Sequence, residues 1–87
     1  MSDSYSVFLT RRARKDIDKL DKQTLNRIAP EIDALADNPR PTGCLKVKGE
    51  ENLWRIRVGD WRIGYEINDA AKELTIIRVG HRREFYD

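Results

Sequence analysis

Two runs of alternating apolar and charged residues flank the dipeptide Gly59-Asp60, at residues 53–58 and 61–67. Glycine at the first central position suits a two-residue type II′ turn, because glycine takes a positive φ at no steric cost. The sequence therefore predicts an antiparallel hairpin in which Val58 faces Trp61. No other segment of the chain limits the possible folds as tightly.

This register sorts the side chains of the hairpin onto two faces. It pairs Arg57 with Arg62, Ile56 with Ile63, Arg55 with Gly64 and Trp54 with Tyr65. One face is apolar enough to receive helices, and the other carries Arg55, Arg57 and Arg62. Like charges opposed across strands repel each other, so a pair of facing arginines costs stability. Guanidinium groups match phosphate geometry, and we interpret this face as a site for a polyanion, with a merely solvated face as the alternative.

The last predicted strand, residues 73–82, can join the hairpin through either of two loops. A four-residue loop pairs Asn68 with Glu73 and puts Arg78 opposite Ile63, inside the core. A three-residue loop, residues 70–72, gives the pairs Ile63–Val79 and Tyr65–Ile77. A slip of one residue moves every side chain to the other face, and the hydrophobic pattern favours the three-residue loop.

In the favoured register Arg78 lies opposite Gly64, on the face that carries the arginines. Arg82 leaves the strand on the same face, and Lys46 and Lys48 are expected to extend it. Gly64 leaves a gap in the middle, where the backbone of a ligand can approach closely.

The N-terminal half predicts a short strand at residues 5–9 and two helices. Thr10 is a candidate N-cap for the first helix, whose apolar positions are Ala13, Ile17 and Leu20. The second helix has Leu25, Ile28, Ile32 and Leu35 on one side, with Pro30 predicting a kink or a late helix start. Residues 38–43 end the helical half, and residues 44–48 alternate as a strand. The order β-α-α-β-β-β-β predicts a single α+β domain over residues 1–87, with two helices packed on one face of a small, largely antiparallel sheet.

Composition excludes several classes of protein. The 87 residues include 17 basic and 15 acidic side chains, for a net charge of +2. There is no apolar run near the ~18 residues of a membrane helix, and the N-terminus lacks a signal-peptide pattern. One cysteine, Cys44, and one histidine, His81, cannot build a disulfide or a zinc site by themselves. We expect a cytoplasmic protein with no metal, cofactor or membrane association.

His81 and Tyr86 are the candidates for proton transfer near the C-terminus. Metal-free cleavage of RNA needs a base for the 2′-hydroxyl proton, an acid for the leaving oxygen and cations for the phosphorane charge. Arginine supplies the positive charge and is a poor base, because it stays protonated. Neighbouring positive charge favours a phenolate, and histidine titrates near neutrality. The alternation places His81 on the face opposite Arg82 unless the strand has already ended.

Four segments together resemble the RelE branch of the RelE/ParE toxins, over nearly the whole chain. They are Asn38-Pro39-Arg40-Pro41, Leu45-Lys46-Val47-Lys48-Gly49, the run from Arg55 to Tyr65, and Val79-Gly80-His81-Arg82-Arg83-Glu84-Phe85-Tyr86. The resemblance implies a type II toxin with a compact RelE-like fold. It also implies an endoribonuclease that cleaves mRNA in the ribosomal A site and a cognate antitoxin that holds the toxin inactive. The expected assembly of the two is a toxin-antitoxin heterotetramer.

The resemblance also assigns roles to individual residues. Arg55 and Arg57 match a basic pair that is often lysine in the family, and Arg62 matches a phosphate-binding arginine. Arg82 matches the arginine credited with stabilising the transition state or leaving group, and Tyr86 matches the tyrosine often assigned as general base. His81 occupies a position that is often lysine. Arginine in place of lysine at positions 55 and 57 removes a side chain that could exchange a proton, which leaves Tyr86 and His81 as alternative bases.

Two other functions remain open at this stage. A ParE-like inhibitor of DNA gyrase would use the same fold without nuclease chemistry, since function resides in the site and not in the fold. A small RNA-binding protein, or a toxin without activity, would bind RNA in a salt-sensitive way and cleave nothing. The set Arg62, Arg82 and Tyr86 favours the nuclease.

Overall fold

The structure, a computed structural model, describes residues 4–81 and confirms the predicted order of elements. Strand β1 is Ser6–Leu9, and helices α1 and α2 are Arg11–Asp18 and Lys22–Asp37. The remaining strands are β2 at Leu45–Lys46, β3 at Leu53–Val58, β4 at Trp61–Asn68 and β5 at Glu73–His81. Strand β2 is thus shorter than the predicted strand at residues 44–48. Neither helix in this part of the chain is long and apolar enough to cross a membrane.

The five strands form one sheet in the order β1-β5-β4-β3-β2. Strand β1 pairs with β5 in parallel, and the other three pairings are antiparallel. The two strands with the most pairing, β4 and β5, therefore occupy the interior of the sheet, and the short strands β1 and β2 form its edges. This arrangement confirms the predicted α+β class.

The β3–β4 hairpin has the predicted register throughout, from Val58 opposite Trp61 to Trp54 opposite Tyr65. Gly59 has a φ of 63°, and Asp60 is not among the positive-φ residues of the described chain. This combination fits a type II′ turn and excludes type I′, which needs a positive φ at both central residues. The guanidinium of Arg27, from α2, lies where a Cβ on residue 59 would stand.

The β4–β5 ladder contains both of the registers that the sequence allows. Near the hairpin turn Ile63 pairs with Val79 and Gly64 with Arg78, as predicted. Beyond a bulge between Gly64 and Tyr65 the register shifts, so Tyr65 pairs with Ile76, and the predicted Tyr65–Ile77 pair is wrong. Ile77 is the extra residue of the bulge, because it has no partner in the β4–β5 ladder. The physical reason is burial, because only this shift sends Leu74 and Ile76 into the core together with Val79.

Both helices begin at side-chain caps. Thr10 accepts a hydrogen bond from the Ala13 amide, and Asp21 accepts one from Thr24. Helix α2 starts at Lys22 and runs through Pro30, so the expectation of a late start is wrong. The buried core joins the helices to one face of the sheet: Ala13, Ile28, Ile32, Leu35, Ile56, Ile63, Tyr65, Ile67, Leu74, Ile76 and Val79. Leu25 is only half-buried and lies outside this core.

Side chains of the first helical segment cover the edge of β5 that β1 leaves open. Strand β1 pairs only as far as Ile76. Beyond that point the Thr10 hydroxyl donates to the Ile77 carbonyl at 2.9 Å, and the Val79 amide donates to Asp16 Oδ2 at 2.9 Å. Asp16 also accepts from Arg12 Nε at 3.0 Å. The exposed edge is thereby closed without another strand.

Removing the Asp16 carboxylate should leave the buried Val79 amide without its acceptor. We expect Asp16→Ala to lower the free energy of unfolding by about 1–3 kcal/mol, the usual cost of an unsatisfied buried donor. Urea denaturation measures this loss. Asp18→Ala, an exposed position on the same helix, is the matched control and should change stability by less than about 0.5 kcal/mol. Equal losses in the two variants would contradict this role of Asp16.

A polar cluster holds the loop after α2 against the β4–β5 turn. Asp69 accepts hydrogen bonds from the Tyr5 hydroxyl at 2.5 Å and from both terminal nitrogens of Arg40, at 2.9 and 3.3 Å. Hydrogen bonds from Arg40 and then Tyr5 lower the pKa of Asp69 to about 2. The buried Tyr65 hydroxyl anchors the same loop by donating to the Pro39 carbonyl at 2.7 Å.

Stability should depend on the ionisation of Asp69. Because its folded-state pKa is depressed, its contribution to stability is complete above its ordinary pKa of 3.8 and is lost as the pH falls from about 4 towards 2. Wild type should be more stable than Asp69→Asn at pH 7, and urea midpoints should show the gap closing at pH 2.5. Asp33→Asn, on the exposed side of α2, should show no such gap. A gap of constant size at both pH values would contradict the assignment.

Candidate nucleic-acid interface

Four arginines lie on the sheet face turned away from the helices, and we call this set (Arg55, Arg57, Arg62 and Arg78) the arginine face. Arg57 stands opposite Arg62, while Arg55 and Arg78 pair with Gly64 from its two sides. The hairpin register places three of the arginines, and the part of the β4–β5 ladder nearest the turn places the fourth. These positions confirm the predicted grouping.

The four arginines differ in how far they are buried. Arg57 is exposed, and Arg55 and Arg78 are half-buried. Arg62 is buried, with only 6% of its surface exposed. The Nε atoms of Arg62 and Arg78 are fully enclosed by protein. The sequence predicted an open face and did not predict this burial. A charge with less water around it acts more strongly on neighbouring charges, so burial sets Arg62 apart from the exposed Arg57.

An apolar recess of about 270 Å³ lies beside these arginines. We call it the Gly64 groove, and its lining residues are Val47, Leu53, Arg55, Gly64, Ile77 and Arg78. Its three aliphatic side chains are half-buried and are not part of the core. The bulge explains the position of Ile77, because the residue that breaks the alternation turns to the same face as Arg78. The doublet Ile76-Ile77, which interrupts the alternation of β5, is the sequence signal for this feature.

The same sheet face changes character towards the opposite end of the strands. A wider recess of about 480 Å³ is lined mainly by polar and acidic side chains, including Glu66, Glu73, Asn52, Asn68 and Thr75. Glu66 pairs with Leu53 and Thr75, which fixes it on this face. This acidic end was not predicted, although Glu66 follows Gly64 by two residues and the alternation of β4 therefore places both on one face. The positive charge on this face is therefore concentrated around Gly64 and the hairpin turn, away from the acidic end.

The structure corrects the placement of the two lysines. Lys46 pairs with Trp54, whose ring packs against the core, so Lys46 lies on the opposite face from Arg55. Lys48 follows the end of β2 in an exposed turn. The residue between them, Val47, lines the Gly64 groove instead. The expectation that both lysines extend the arginine face was wrong, because Leu45 and not Lys46 stands opposite Arg55, and Lys48 lies beyond the end of β2.

His81 is still part of β5 and is not brought to the arginine face. It pairs with Trp61, and the two rings meet edge to face with centroids 5.6 Å apart. Trp61 packs against the core, so His81 lies on the helix side of the sheet. Arg82 and Tyr86 fall outside the described residues. Within residues 4–81, no group of three or more histidine, cysteine, aspartate or glutamate side chains is arranged to hold a metal ion.

Comparison with known proteins places the chain in a family. The family described as ParE toxin of type II toxin-antitoxin system, parDE, matches residues 7–86. The chain belongs to the RelE/ParE toxin family. The putative toxin RelE1 of Methanocaldococcus jannaschii is 25% identical over 85 residues, with 94% of each chain covered. Toxin RelE3 of the same organism is 48% identical over 42 residues, and this match spans 48% of the chain and 46% of RelE3.

Solved structures of RelE toxins share the fold. The archaeal RelE-RelB complex from Pyrococcus horikoshii aligns with a TM-score of 0.79 and 27% identity, covering 91% of this chain and 96% of that one. The RelBE2 toxin-antitoxin complex from Mycobacterium tuberculosis gives a TM-score of 0.80 and 28% identity, with 91% and 99% covered. These likenesses confirm the RelE-like fold and agree with the RelE branch of the family.

The two faces of the sheet should differ in their effect on binding to a single-stranded RNA. Each phosphate contact contributes about 0.7 to the slope of log K against log salt concentration. We expect Arg57→Ala to reduce the magnitude of the slope by about that amount, measured by fluorescence anisotropy with an oligouridine. Lys46→Ala removes the same charge from the other face and should leave the slope unchanged. A smaller slope in Lys46→Ala than in Arg57→Ala would contradict the assignment of the faces.

Proposed function

We propose that this toxin is a ribosome-dependent endoribonuclease that cleaves mRNA in the A site. The observation that carries the proposal is the clustering of four arginines around Gly64 on the sheet face turned away from the helices. Such a cluster has a stability cost, because Arg57 and Arg62 oppose each other directly. A bound phosphate chain offsets this repulsion and gives the arrangement a purpose.

The proposed reaction is attack of a ribose 2′-hydroxyl on the adjacent phosphorus. A bond forms between phosphorus and the 2′ oxygen, and the bond to the 5′ oxygen of the next nucleotide breaks. The 2′ proton passes to a base, and an acid returns a proton to the leaving oxygen. We assign Arg62 and Arg82 to the charge that builds up on the phosphorane, and Arg55, Arg57 and Arg78 to neighbouring phosphates.

We assign the general base to Tyr86 in preference to His81. The position of His81 beside Trp61 supports this choice, because the sheet separates that ring from the arginine face. Tyr86 occupies the position of the tyrosine often assigned as base in the RelE branch. A phenol placed among arginines is also well suited to lose a proton.

We propose a cognate antitoxin as the partner that keeps the toxin inactive. The related toxins from Pyrococcus horikoshii and Mycobacterium tuberculosis were both crystallised as toxin-antitoxin complexes. A concentrated arginine face calls for a partner with acidic side chains, since complementary charge directs association. Assembly of two toxins and two antitoxins into a heterotetramer is part of this proposal.

Cleavage in a translation extract tests the nuclease directly. Wild type should cut mRNA inside reading frames, and Arg62→Ala and Arg82→Ala should each lower the rate about 100-fold, as loss of a transition-state donor does. Because Arg62 is buried, circular dichroism should verify folding, and Arg62→Lys provides a variant that keeps the charge but loses the planar fork. Lys22→Ala, an exposed lysine on α2, is the control and should cut at the wild-type rate. Full activity in both alanine variants would overturn the proposal.

Gyrase inhibition is the second candidate, and the ParE description of the matched family favours keeping it. A gyrase inhibitor would induce DNA damage in cells and leave mRNA intact. The two functions therefore differ in which nucleic acid is broken when the toxin is expressed. Intact mRNA together with a DNA-damage response would select gyrase.

A further inference from the structure

We propose that the Gly64 groove is a nucleobase subsite that helps to determine which mRNA sequence is cut, with Leu53 and Ile77 as its specificity-determining residues. This inference rests on the proposed nuclease function and names what the site recognises beyond phosphate. The groove is an apolar recess within a strongly basic face, a combination that phosphate binding alone does not require.

The apolar residues of the groove do not belong to the hydrophobic core. Val47, Leu53 and Ile77 lie outside the core, although each is half-buried. The bulge opposite Gly64 and Tyr65 brings Ile77 and Arg78 to the same face. A single uniform register would keep only one of these two residues on this face, so the irregularity of β5 completes the recess.

The chemistry of the walls fits a planar base between two phosphates. Arg55 and Arg78 border the recess and pair with Gly64 from opposite sides. Guanidinium groups stack on aromatic rings and also bind phosphate, so one arginine can contact a base and its backbone. Gly64 is buried and adds no side chain to the recess that it helps to line, so the walls are formed by the neighbouring aliphatic and arginine side chains.

The reaction itself requires unstacked bases. A 2′-hydroxyl can attack in line only when its nucleotide leaves the regular helical stack, and a base that is turned out needs a new surface to pack on. The groove offers that surface beside the arginines that hold the phosphates.

The acidic end of the face limits where the RNA can run. Glu66 and Glu73 repel a phosphate chain, so favourable contacts are confined to the part of the face near Gly64 and the hairpin turn. With so short a basic stretch, the bound segment contains few nucleotides, and a base in the groove lies close to the phosphate that is cut. An extended acidic peptide of an antitoxin is the competing occupant that the experiment must separate.

An mRNA carrying one abasic nucleotide at successive positions of the A-site codon tests the subsite. We expect wild type to cleave about tenfold more slowly when the abasic position coincides with the groove, a loss typical of one stacked base. In Leu53→Ala and Ile77→Ala this abasic penalty should fall below about threefold, because the recess no longer grips the base. Leu25→Ala removes the same atoms from a half-buried leucine on α2 and should keep the full penalty. Leu53→Met and Ile77→Val preserve an apolar wall and should retain most of it.

The outcomes distinguish the inference from the function on which it rests. If wild type cuts no mRNA at all, the nuclease proposal fails. If wild type cuts but no abasic position slows it, or if the penalty is the same in Leu53→Ala, Ile77→Ala and Leu25→Ala, the nucleobase subsite is wrong and the nuclease stands. An unchanged penalty together with at least tenfold weaker antitoxin binding by Leu53→Ala would assign the groove to the antitoxin and overturn the inference.

Discussion

The two-residue turn at Gly59-Asp60 is the constraint on which the rest of the structure depends. A positive φ at residue 59 closes the hairpin with no spare residue, so every side chain of β3 and β4 is committed to one face. A slip by one residue would bury Arg57 and Arg62 in the core and expose Ile56 and Ile63. The packing of Arg27 over Gly59 ties α2 to the same turn.

Division of the sheet into two faces links folding to function in this toxin. One face packs against the helices and holds nearly all of the sheet residues of the core, including Tyr65 and Ile63. The other face carries like charges in direct opposition and is the face that we propose binds RNA. Such an arrangement sacrifices stability where binding is needed, and hydrogen bonds made by Asp16 and Asp69 elsewhere strengthen the fold.

The β5 strand shows how a local irregularity shapes the face that carries the arginines. The alternation of apolar residues along β5 shifts by one residue at the Ile76-Ile77 doublet. The bulge allows the apolar residues on both sides of the doublet to face the core. The core keeps Ile76 and Val79, while Ile77 and Arg78 remain on the open face. The groove beside Gly64 thus follows from a burial requirement on the other side of the sheet.

Much of the fold could be predicted from the sequence because local signals agree with one another. Alternation around a glycine turn determines the β3–β4 register, and Thr10 and the apolar spacing of α1 determine where that helix begins. Only half of the β4–β5 register was predicted, because a single uniform register was assumed. The three-residue loop gives the pairs near the hairpin turn, and the four-residue loop gives the pairs beyond the bulge. Lys46 was misplaced because no turn signal in the sequence determines the register of β2 on β3, in which Leu45 stands opposite Arg55.

The candidate site was predictable in its charges but not in its depth. The arginines follow from the register, whereas the burial of Arg62 depends on how the finished fold surrounds it. The acidic end at Glu66 and Glu73 was visible in the alternation and was overlooked. The face on which His81 lies depends on whether β5 extends to residue 81. The pairing of His81 with Trp61 shows that it does.

Mapping the ends of mRNA fragments in a translation extract tests the central claim most directly. Ribosome-dependent cleavage predicts cuts within translated codons, with a 5′-hydroxyl on each downstream fragment. It also predicts far fewer cuts when Tyr86→Phe replaces wild type. The same mRNA should stay intact when its translation is blocked. Fragments that form equally well without ribosomes, or mRNA that stays whole while the toxin arrests growth, would contradict the account.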